Sequence, residues 1–125
     1  MPSHRYSPQS LQDLITAIFV SAGCEPREAE VVADHLVQAN LTGHDSHGVI
    51  RTPIYVKWLA ERNVLANQRL KVIFENDVMA VVDGQLGLGQ SIAEQAMTLG
   101  IAKSRKNGVA VISLRNSGHV GRVGH

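Results

Sequence analysis

The sequence predicts an α+β fold, in which a unit of three helices precedes the start of a mixed or antiparallel sheet with one covering helix. Two observations support this prediction. Apolar side chains recur at helical spacing as far as about Asn63, and alternating or continuous apolar runs, typical of strands, follow from Gln68. A chain of 125 residues is long enough to bury a genuine core. We therefore divide it into a helical N-terminal unit, residues 1–65, and a second segment, residues 66–125.

Capping and helix-breaking residues delimit the three helices. The predicted spans are Ser7-Pro8 to Gly23, Pro26 to Gly43, and a third helix from Gly48 to about Asn63. We expect apolar positions at helical spacing to form the buried face of each helix. These positions are Leu11, Leu14, Ile15, Ile18 and Phe19, then Ala29, Val32, Leu36 and Ala39, then Ile50, Ile54, Trp58 and Leu59.

The second segment alternates between strand-like and helical stretches. Strands are predicted over residues 69–74 and 78–82, and a helix over residues 90–106. The continuous apolar run over residues 109–114 is consistent with a central strand. Because three strands leave a sheet with open edges, we expect this segment to be incomplete and the chain to be the front part of a longer protein. The inward positions of the helix are Ile92, Ala93, Ala96, Met97, Gly100 and Ile101.

A glycine-rich stretch, Asp83 to Gly89, lies between the second strand and the following helix, where a phosphate-binding loop would lie. Its spacing does not match the dinucleotide-binding fingerprint, because a third glycine or alanine is missing after Gly89. The next strand also ends on Arg115, where the fingerprint has an acid. The alternative interpretation is a tight turn from strand to helix.

Composition limits the possible binding partners and the possible cellular compartment. Twelve basic and 11 acidic side chains give a net charge of +1, so electrostatics favour neither nucleic acid nor an anionic membrane surface as a partner. Cys24 is the single cysteine, so no internal disulfide can form and a reducing, cytoplasmic compartment is expected. No apolar run approaches transmembrane length.

The stretch from His44 to Arg51 is the densest cluster of chemically useful side chains. If residues from Gly48 onward are helical, His47, Arg51 and Tyr55 share one helix face. Imidazole changes charge near neutral pH, and the guanidinium group matches a carboxylate with two hydrogen bonds. A helix N-terminus also favours anions. The stretch therefore predicts a pocket for a carboxylate-bearing substrate, although these side chains could instead be ordinary loop and helix-start polar groups.

His119 is the second candidate. It follows the last predicted strand in a loop with glycines at positions 118, 121 and 124. Open α/β sheets bind ligands at the carboxyl ends of their strands, and glycines allow a ligand to approach the backbone closely. We expect His119 to have a functional role, and the alternative is a solvated loop imidazole.

Three segments in this order resemble one family. They are Gly43-His44-Asp45-Ser46-His47-Gly48-Val49-Ile50-Arg51, Val82-Asp83-Gly84 with Gly87-Leu88-Gly89-Gln90, and Asn116-Ser117-Gly118-His119-Val120-Gly121. The sequence is similar to the malate/L-lactate dehydrogenase family that is distinct from the Rossmann-type lactate dehydrogenases and includes ureidoglycolate and sulfolactate dehydrogenases. The resemblance implies a non-Rossmann fold, with residues 66–125 as the first part of the α/β cofactor and catalytic domain. It also implies an NAD- or NADP-dependent oxidoreductase of a small 2-hydroxy or 2-oxo acid, or of a cyclic imine acid, usually a homodimer.

The resemblance also implies roles for single residues. Arg51 matches the residue that holds the substrate carboxylate, Ser46 and His47 line that pocket, and Tyr55 matches a position near the substrate. His119 matches the acid/base histidine of some members, while others assign this role to the position of His47, so both remain candidates. Gly121 is the one cofactor contact expected within the chain. The family's main nucleotide contacts follow later, so we expect the 125-residue chain alone to turn over little substrate.

Two other functions are consistent with the sequence. Six histidines, with His44/His47 and His119/His125 as candidate ligands, suggest a metal site, but their spacing matches no zinc pattern and we expect none. The three helices could also form a non-catalytic dimerisation module.

Overall fold

The computed structural model describes residues 4–124, and the prediction that involved His125 lies outside them. The structure confirms the α+β class. The elements in chain order are α1 (Pro8–Ser21), α2 (Pro26–Leu41), the 3-10 turns Asp45–His47 and Val49–Arg51, α3 (Thr52–Ala60), β1 (Lys71–Glu75), β2 (Met79–Gly87), α4 (Gly89–Asn107) and β3 (Val111–Ser117). No helix among residues 4–124 combines the length and the apolar character that a membrane crossing requires.

Local signals at the ends of the first two helices act as predicted. The Ser7 side chain accepts a hydrogen bond from the Ser10 amide and so caps α1. Gly23 and Gly43 follow α1 and α2 with φ of 105° and 77°, which an L side chain would strain. The predicted face of α2 is buried at Ala29, Val32, Leu36 and Ala39.

The helical unit is held together by an apolar core between α1, α2 and α3. Phe19, Leu36 and Tyr55 are its largest buried members, and burial of one such side chain contributes roughly 1.5–3 kcal/mol. Leu14 and Ile50 were predicted to face this core but are 57% and 71% exposed. The core contains Ile15, Phe19, Cys24, Ala29, Val32, Ala33, Leu36, Tyr55, Val64 and Leu88.

The third helix was predicted from Gly48 to about Asn63, but the α-helix covers only Thr52–Ala60. Gly48 is extended, with φ of −88° and ψ of −156°, and separates His47 from the helical residues that follow. The cause lies on α2, where the Asn40 side chain accepts a hydrogen bond from the Val49 amide at 2.8 Å. A Cβ at position 48 would lie 2.2 Å from Asn40 Oδ1, so the backbone here is pressed against that side chain. His47 and Arg51 therefore belong to two separate 3-10 turns, and the predicted continuous face through Tyr55 is wrong.

The sheet is mixed, with the order β1-β2-β3. β1 pairs with β2 antiparallel, β2 pairs with β3 parallel, and α4 forms the crossover between them. β2 is thus the central strand, and the central position predicted for residues 109–114 is wrong for the described sheet. β3 lies at its edge, where Val111 is 54% exposed. The buried members of the core under this sheet are Ala80, Val82 and Ala96.

Two further expectations need correction. Met97 and Ile101 were predicted to face inward, yet both are exposed on α4. The glycine-rich stretch is mainly strand, because β2 continues to Gly87 and a single residue, Leu88, separates it from α4. Gln85 and Leu86 have φ of 53° and 62°, and the pairing of β2 with β3 shifts register between Asp83 and Gly87. The junction is the tight strand-to-helix turn considered above.

Candidate active site at the end of β3

Tyr55 and His119 meet where α3 faces the end of β3. The Tyr55 hydroxyl oxygen lies 2.7 Å from His119 Nδ1 and 3.5 Å from the His119 carbonyl oxygen. The same hydroxyl accepts a hydrogen bond from Gln90 Nε2 at 3.1 Å. Tyr55 and Gln90 are each 1% exposed. A chain of three polar side chains therefore runs from the start of α4 through α3 to the loop after β3.

Backbone contacts hold the His119 loop against the start of α4. The Gly118 amide donates to the Gly87 carbonyl at 2.8 Å, which extends the pairing of β3 with β2. A Cβ on Gly89 would lie 2.3 Å from the His119 carbonyl oxygen, so only glycine allows this approach. The glycines that suggested a phosphate loop thus bring the His119 loop close to α4.

The predicted residues of the first segment approach the same place. The imidazole rings of His47 and His119 have centroids 5.4 Å apart. Ser46 Oγ lies 3.0 Å from His47 Nδ1, and the His44 ring lies edge-on to His47 with centroids 4.4 Å apart. Two segments that are distant in sequence therefore place imidazole groups side by side.

Arg51 is held by one contact to the backbone of the preceding turn. Its Nε donates to the Ser46 carbonyl oxygen at 2.6 Å, and its side chain is half-buried. Within residues 4–124 it forms no ion pair with a carboxylate. The two terminal nitrogens of the guanidinium group therefore remain available to an anionic ligand.

The electrostatics of the cluster favour a neutral imidazole at His119. Burial lowers the His119 pKa, and the nearby positive groups of Arg51 and His47 lower it further. The pKa of Tyr55 is raised, because burial outweighs the opposing effects of the Gln90 hydrogen bond and the Arg51 charge. Tyr55 is therefore a protonated hydroxyl near neutral pH, and the neutral form of His119 predominates at pH 7.

Gln90 was missed in the sequence analysis, which placed it as the ordinary first residue of a helix. The available signal was its position directly after Gly87-Leu88-Gly89, where a polar side chain begins a helix beside a glycine-rich junction. Gly121, the predicted cofactor contact, has φ of 67°, and a Cβ there would lie 3.1 Å from Gln90 Nε2. Gly121 thus lies beside the chain of polar groups.

The metal alternative gains no support from the geometry. Within the described part of the chain, no three His, Cys, Asp or Glu side chains come together as a set of ligands. His44 and His47 are neighbours, but His47 Nδ1 is engaged by Ser46.

Comparison with known proteins places the chain in one family. The family model described as malate/L-lactate dehydrogenase matches residues 6–125. Hydroxycarboxylate dehydrogenase B from Escherichia coli K12 is 42% identical over 122 residues, which cover 98% of this chain and 34% of that protein. L-sulfolactate dehydrogenase from Methanocaldococcus jannaschii is 36% identical over 118 residues, covering 94% of this chain and 34% of that protein.

Solved structures agree with the fold. The malate dehydrogenase of Pyrococcus horikoshii OT3 superposes with a TM-score of 0.94 at 35% identity, covering 97% of this chain and 35% of that one. The chain spans about a third of the length of the relatives that it matches. On the extent of the match and the shared fold, the chain belongs to the malate/L-lactate dehydrogenase family.

Proposed function

We propose that the protein is an NAD(P)-dependent oxidoreductase that interconverts a small 2-hydroxy acid and the corresponding 2-oxo acid. The observation that carries the proposal is the convergence of His47, Arg51 and Tyr55 with His119, whose ring lies 5.4 Å from that of His47. The relatives support the same substrate class, because malate, sulfolactate and hydroxycarboxylates are all hydroxy acids. Residues 1–65 would form the helical unit and residues 66–125 the first part of the cofactor and catalytic domain.

Arg51 is proposed to bind the substrate carboxylate. Its terminal nitrogens are unpaired within the described residues, and a guanidinium group can bind a carboxylate through two parallel hydrogen bonds. Ser46 and His47 are proposed to line the same pocket, since the Ser46 carbonyl holds Arg51 and its hydroxyl holds His47. A carboxylate fixed in this way orients the neighbouring C2 atom, and such positioning can supply several kcal/mol of the barrier.

His119 is proposed as the acid/base group, with His47 beside it in the substrate pocket. The Nδ1 atom of His119 is engaged by Tyr55, so Nε2 is the nitrogen that can exchange a proton with the substrate. In oxidation, the ring would take the hydroxyl proton of the 2-hydroxy acid, and in reduction it would return that proton to the oxygen at C2. Tyr55 would orient the ring while remaining protonated, because its pKa is raised by burial.

The cofactor proposed for this reaction is NAD or NADP, and bound nicotinamide would supply or accept the hydride at C2. The loop that carries His119 fits such a group. Gly121 has a left-handed backbone and lies against Gln90, and Arg122 has a buried Nη1 without a hydrogen-bond partner among the described residues. We propose Gly121 as a contact to the cofactor. The compartment proposed is the cytoplasm, from the single, buried Cys24, and the assembly proposed is a homodimer.

Binding of small acids to the purified chain tests the proposal. Titration with a 2-oxo acid such as pyruvate, followed by NMR, should shift the signals of Ser46, His47 and Arg51 together with those of His119. Arg51→Lys should raise the dissociation constant of the acid about tenfold or more, because lysine cannot form the bidentate hydrogen bonds of arginine to a carboxylate. The matched control is Arg105→Lys, an exposed position near the end of α4.

The same titration separates the alternatives. A non-catalytic dimerisation module predicts no response of these signals to the acid, and equal behaviour of the Arg51 and Arg105 variants. Shifts that are confined to a surface away from His47 and His119 would contradict the proposed site. Full-length protein that carries this chain should in addition lose reduction of 2-oxo acids when Arg51 becomes Lys.

A further inference from the structure

We propose that Gln90 is a positioning residue that, through the Tyr55 hydroxyl, holds neutral His119 as the tautomer protonated on Nε2. The directions of two hydrogen bonds decide this, in a chain of three side chains of which Gln90 and Tyr55 are buried and His119 is half-buried. Its catalytic meaning rests on the proposed function, in which His119 exchanges a proton with the substrate.

Gln90 donates a hydrogen bond to Tyr55. Its side chain is 1% exposed, and its Nε2 lies 3.1 Å from the Tyr55 oxygen, while its Oε1 has no partner among the described residues. Rotating the amide by half a turn would instead leave the NH2 group unpaired. Buried N–H groups without a partner are rarer than buried carbonyl oxygens without one. The amide therefore donates to Tyr55.

The Tyr55 hydrogen has two possible acceptors. His119 Nδ1 lies at 2.7 Å and the His119 carbonyl oxygen at 3.5 Å. A distance of 2.7 Å is optimal for an O–H donor, whereas a contact at 3.5 Å contributes little. Gln90 donates to the Tyr55 oxygen and therefore does not compete for the Tyr55 hydrogen, which the hydroxyl gives to Nδ1 at the shorter distance. The raised pKa of Tyr55 keeps that hydrogen in place.

The hydrogen bond at Nδ1 determines the tautomer of the His119 ring. A neutral imidazole carries one hydrogen, so an Nδ1 that accepts a hydrogen bond leaves the N–H on Nε2. Arg51 and His47 face this ring from the neighbouring turns and oppose a second proton. The resting ring therefore presents a donor, which can bind the oxygen of a 2-oxo acid. Before Nε2 can accept a hydroxyl proton, as oxidation requires, the ring proton must move to Nδ1.

The tautomer determines which form of the substrate the resting site binds better. His119 can give up the Nε2 proton and end as a neutral ring only if Nδ1 is protonated first. The acid in the reaction is therefore the imidazolium. In that state, Nδ1–H would donate to the Tyr55 oxygen, and the Tyr55 hydrogen would turn to the His119 carbonyl oxygen. Transfer of the proton to the oxygen at C2 then leaves a neutral ring. The resting arrangement thus favours binding of the 2-oxo acid.

Nitrogen NMR of the 15N-labelled chain tests the proposal without substrate or cofactor. Long-range proton–nitrogen spectra distinguish protonated from unprotonated ring nitrogens, and the exposed His4 in the same spectrum reports the ratio of an unconstrained imidazole. At a pH where His119 is neutral, its Nε2–H form should be enriched about tenfold over the His4 ratio, the factor that one ordinary hydrogen bond supplies. A His119 ratio equal to that of His4, or a predominance of Nδ1–H, would overturn the proposal.

Two variants test the part played by each neighbour. Gln90→Met keeps the size of the side chain but removes the donor, and should reduce the enrichment several-fold. Gln95→Met is the matched control on the same helix, because Gln95 bonds to Leu70 and Gln68, away from Tyr55, and the His119 ratio should stay unchanged. Tyr55→Phe should return the ratio to that of His4. Full enrichment in folded Gln90→Met would refute the role of Gln90, even if the substrate titration succeeds.

Discussion

The Tyr55 hydroxyl lies 2.7 Å from Nδ1 of His119, across a separation of 64 residues in the chain. This contact joins the helical unit to the loop that follows the sheet. It also leaves Nε2 as the ring nitrogen of His119 that is available to a ligand, because Nδ1 is bonded to Tyr55. The geometry of the candidate site therefore depends on the contact between α3 and the loop after β3.

The titration of His119 is the most direct check of the electrostatics. Burial, then the charges of Arg51 and His47, lower its pKa, so its proton NMR signals should titrate below about 6.5, the ordinary value for imidazole. Because the unfolded chain takes up this proton first, the contribution of His119 to the free energy of unfolding is fully present above about pH 6.5. It should decline as the pH falls toward the folded pKa.

The control for this effect is His119→Gln, which should show a flatter decline in stability between pH 6.5 and the folded pKa. Denaturant unfolding at several pH values provides the comparison. Titration of His119 at or above the ordinary imidazole pKa would contradict the electrostatic description of the site.

Gly48→Ala should destabilise the turn that carries His47 and Arg51. The new Cβ would lie 2.2 Å from Asn40 Oδ1, and Asn40 can move only by giving up its hydrogen bonds to Val49 and Asp45. A loss of about 1–3 kcal/mol in the free energy of unfolding is expected. Denaturant unfolding measures it, with Gly124→Ala as the control because that position faces open space. Equal unfolding midpoints for the two variants would show that Asn40 does not constrain the turn.

Gly89→Ala should separate His119 from Tyr55. A Cβ at position 89 would lie 2.3 Å from the His119 carbonyl oxygen and 2.6 Å from that of Gly118, and backbone atoms cannot move without shifting the loop. The His119 pKa should then rise toward the ordinary imidazole value, and nuclear Overhauser contacts between the two rings should disappear. Gly100→Ala is the control on the same helix, because its Cβ would meet only the Ile112 side chain, at 3.1 Å. Retained ring contacts in the Gly89 variant would disprove this prediction.

Asp83→Asn should weaken the contact between β2 and β3 at the point where their pairing shifts register. The Asp83 carboxylate accepts hydrogen bonds from the Gln85 amide, Arg115 Nε and Asn116 Nδ2, and its pKa is lowered chiefly by the Gln85 amide. The stabilisation is present above the unfolded pKa of about 3.9 and is lost as the pH falls through the lower folded value. The variant should therefore have a lower Tm at pH 7 and a smaller deficit below about pH 4.

Thermal unfolding across that pH range checks the prediction. The exposed Asp77, in the turn between β1 and β2, provides the control substitution Asp77→Asn, which should leave Tm nearly unchanged. A deficit of the Asp83 variant that stays constant down to pH 2 would show that the carboxylate charge is not responsible.

Several parts of the fold follow from the sequence because their causes are local. Ser7 caps α1 through a residue three positions away, and Gly23 and Gly43 follow helices with backbone angles that glycine tolerates. The buried face of α2 follows from the helical spacing of its apolar residues, which can be read from that segment alone. The residues proposed for the site were recognisable for a related reason, since imidazole, hydroxyl and guanidinium groups occur together in a short stretch.

Tertiary packing decided the features that depend on two distant segments. Gly48 separates His47 from the third helix because Asn40 lies against it, and β3 lies at the edge of the described sheet because β2 pairs on both sides. Gln90 belongs to the site only because the start of α4 lies beside Tyr55. Helical period and capping residues describe interactions within about four positions, whereas these contacts join residues 9 to 64 positions apart, so no local pattern could specify them.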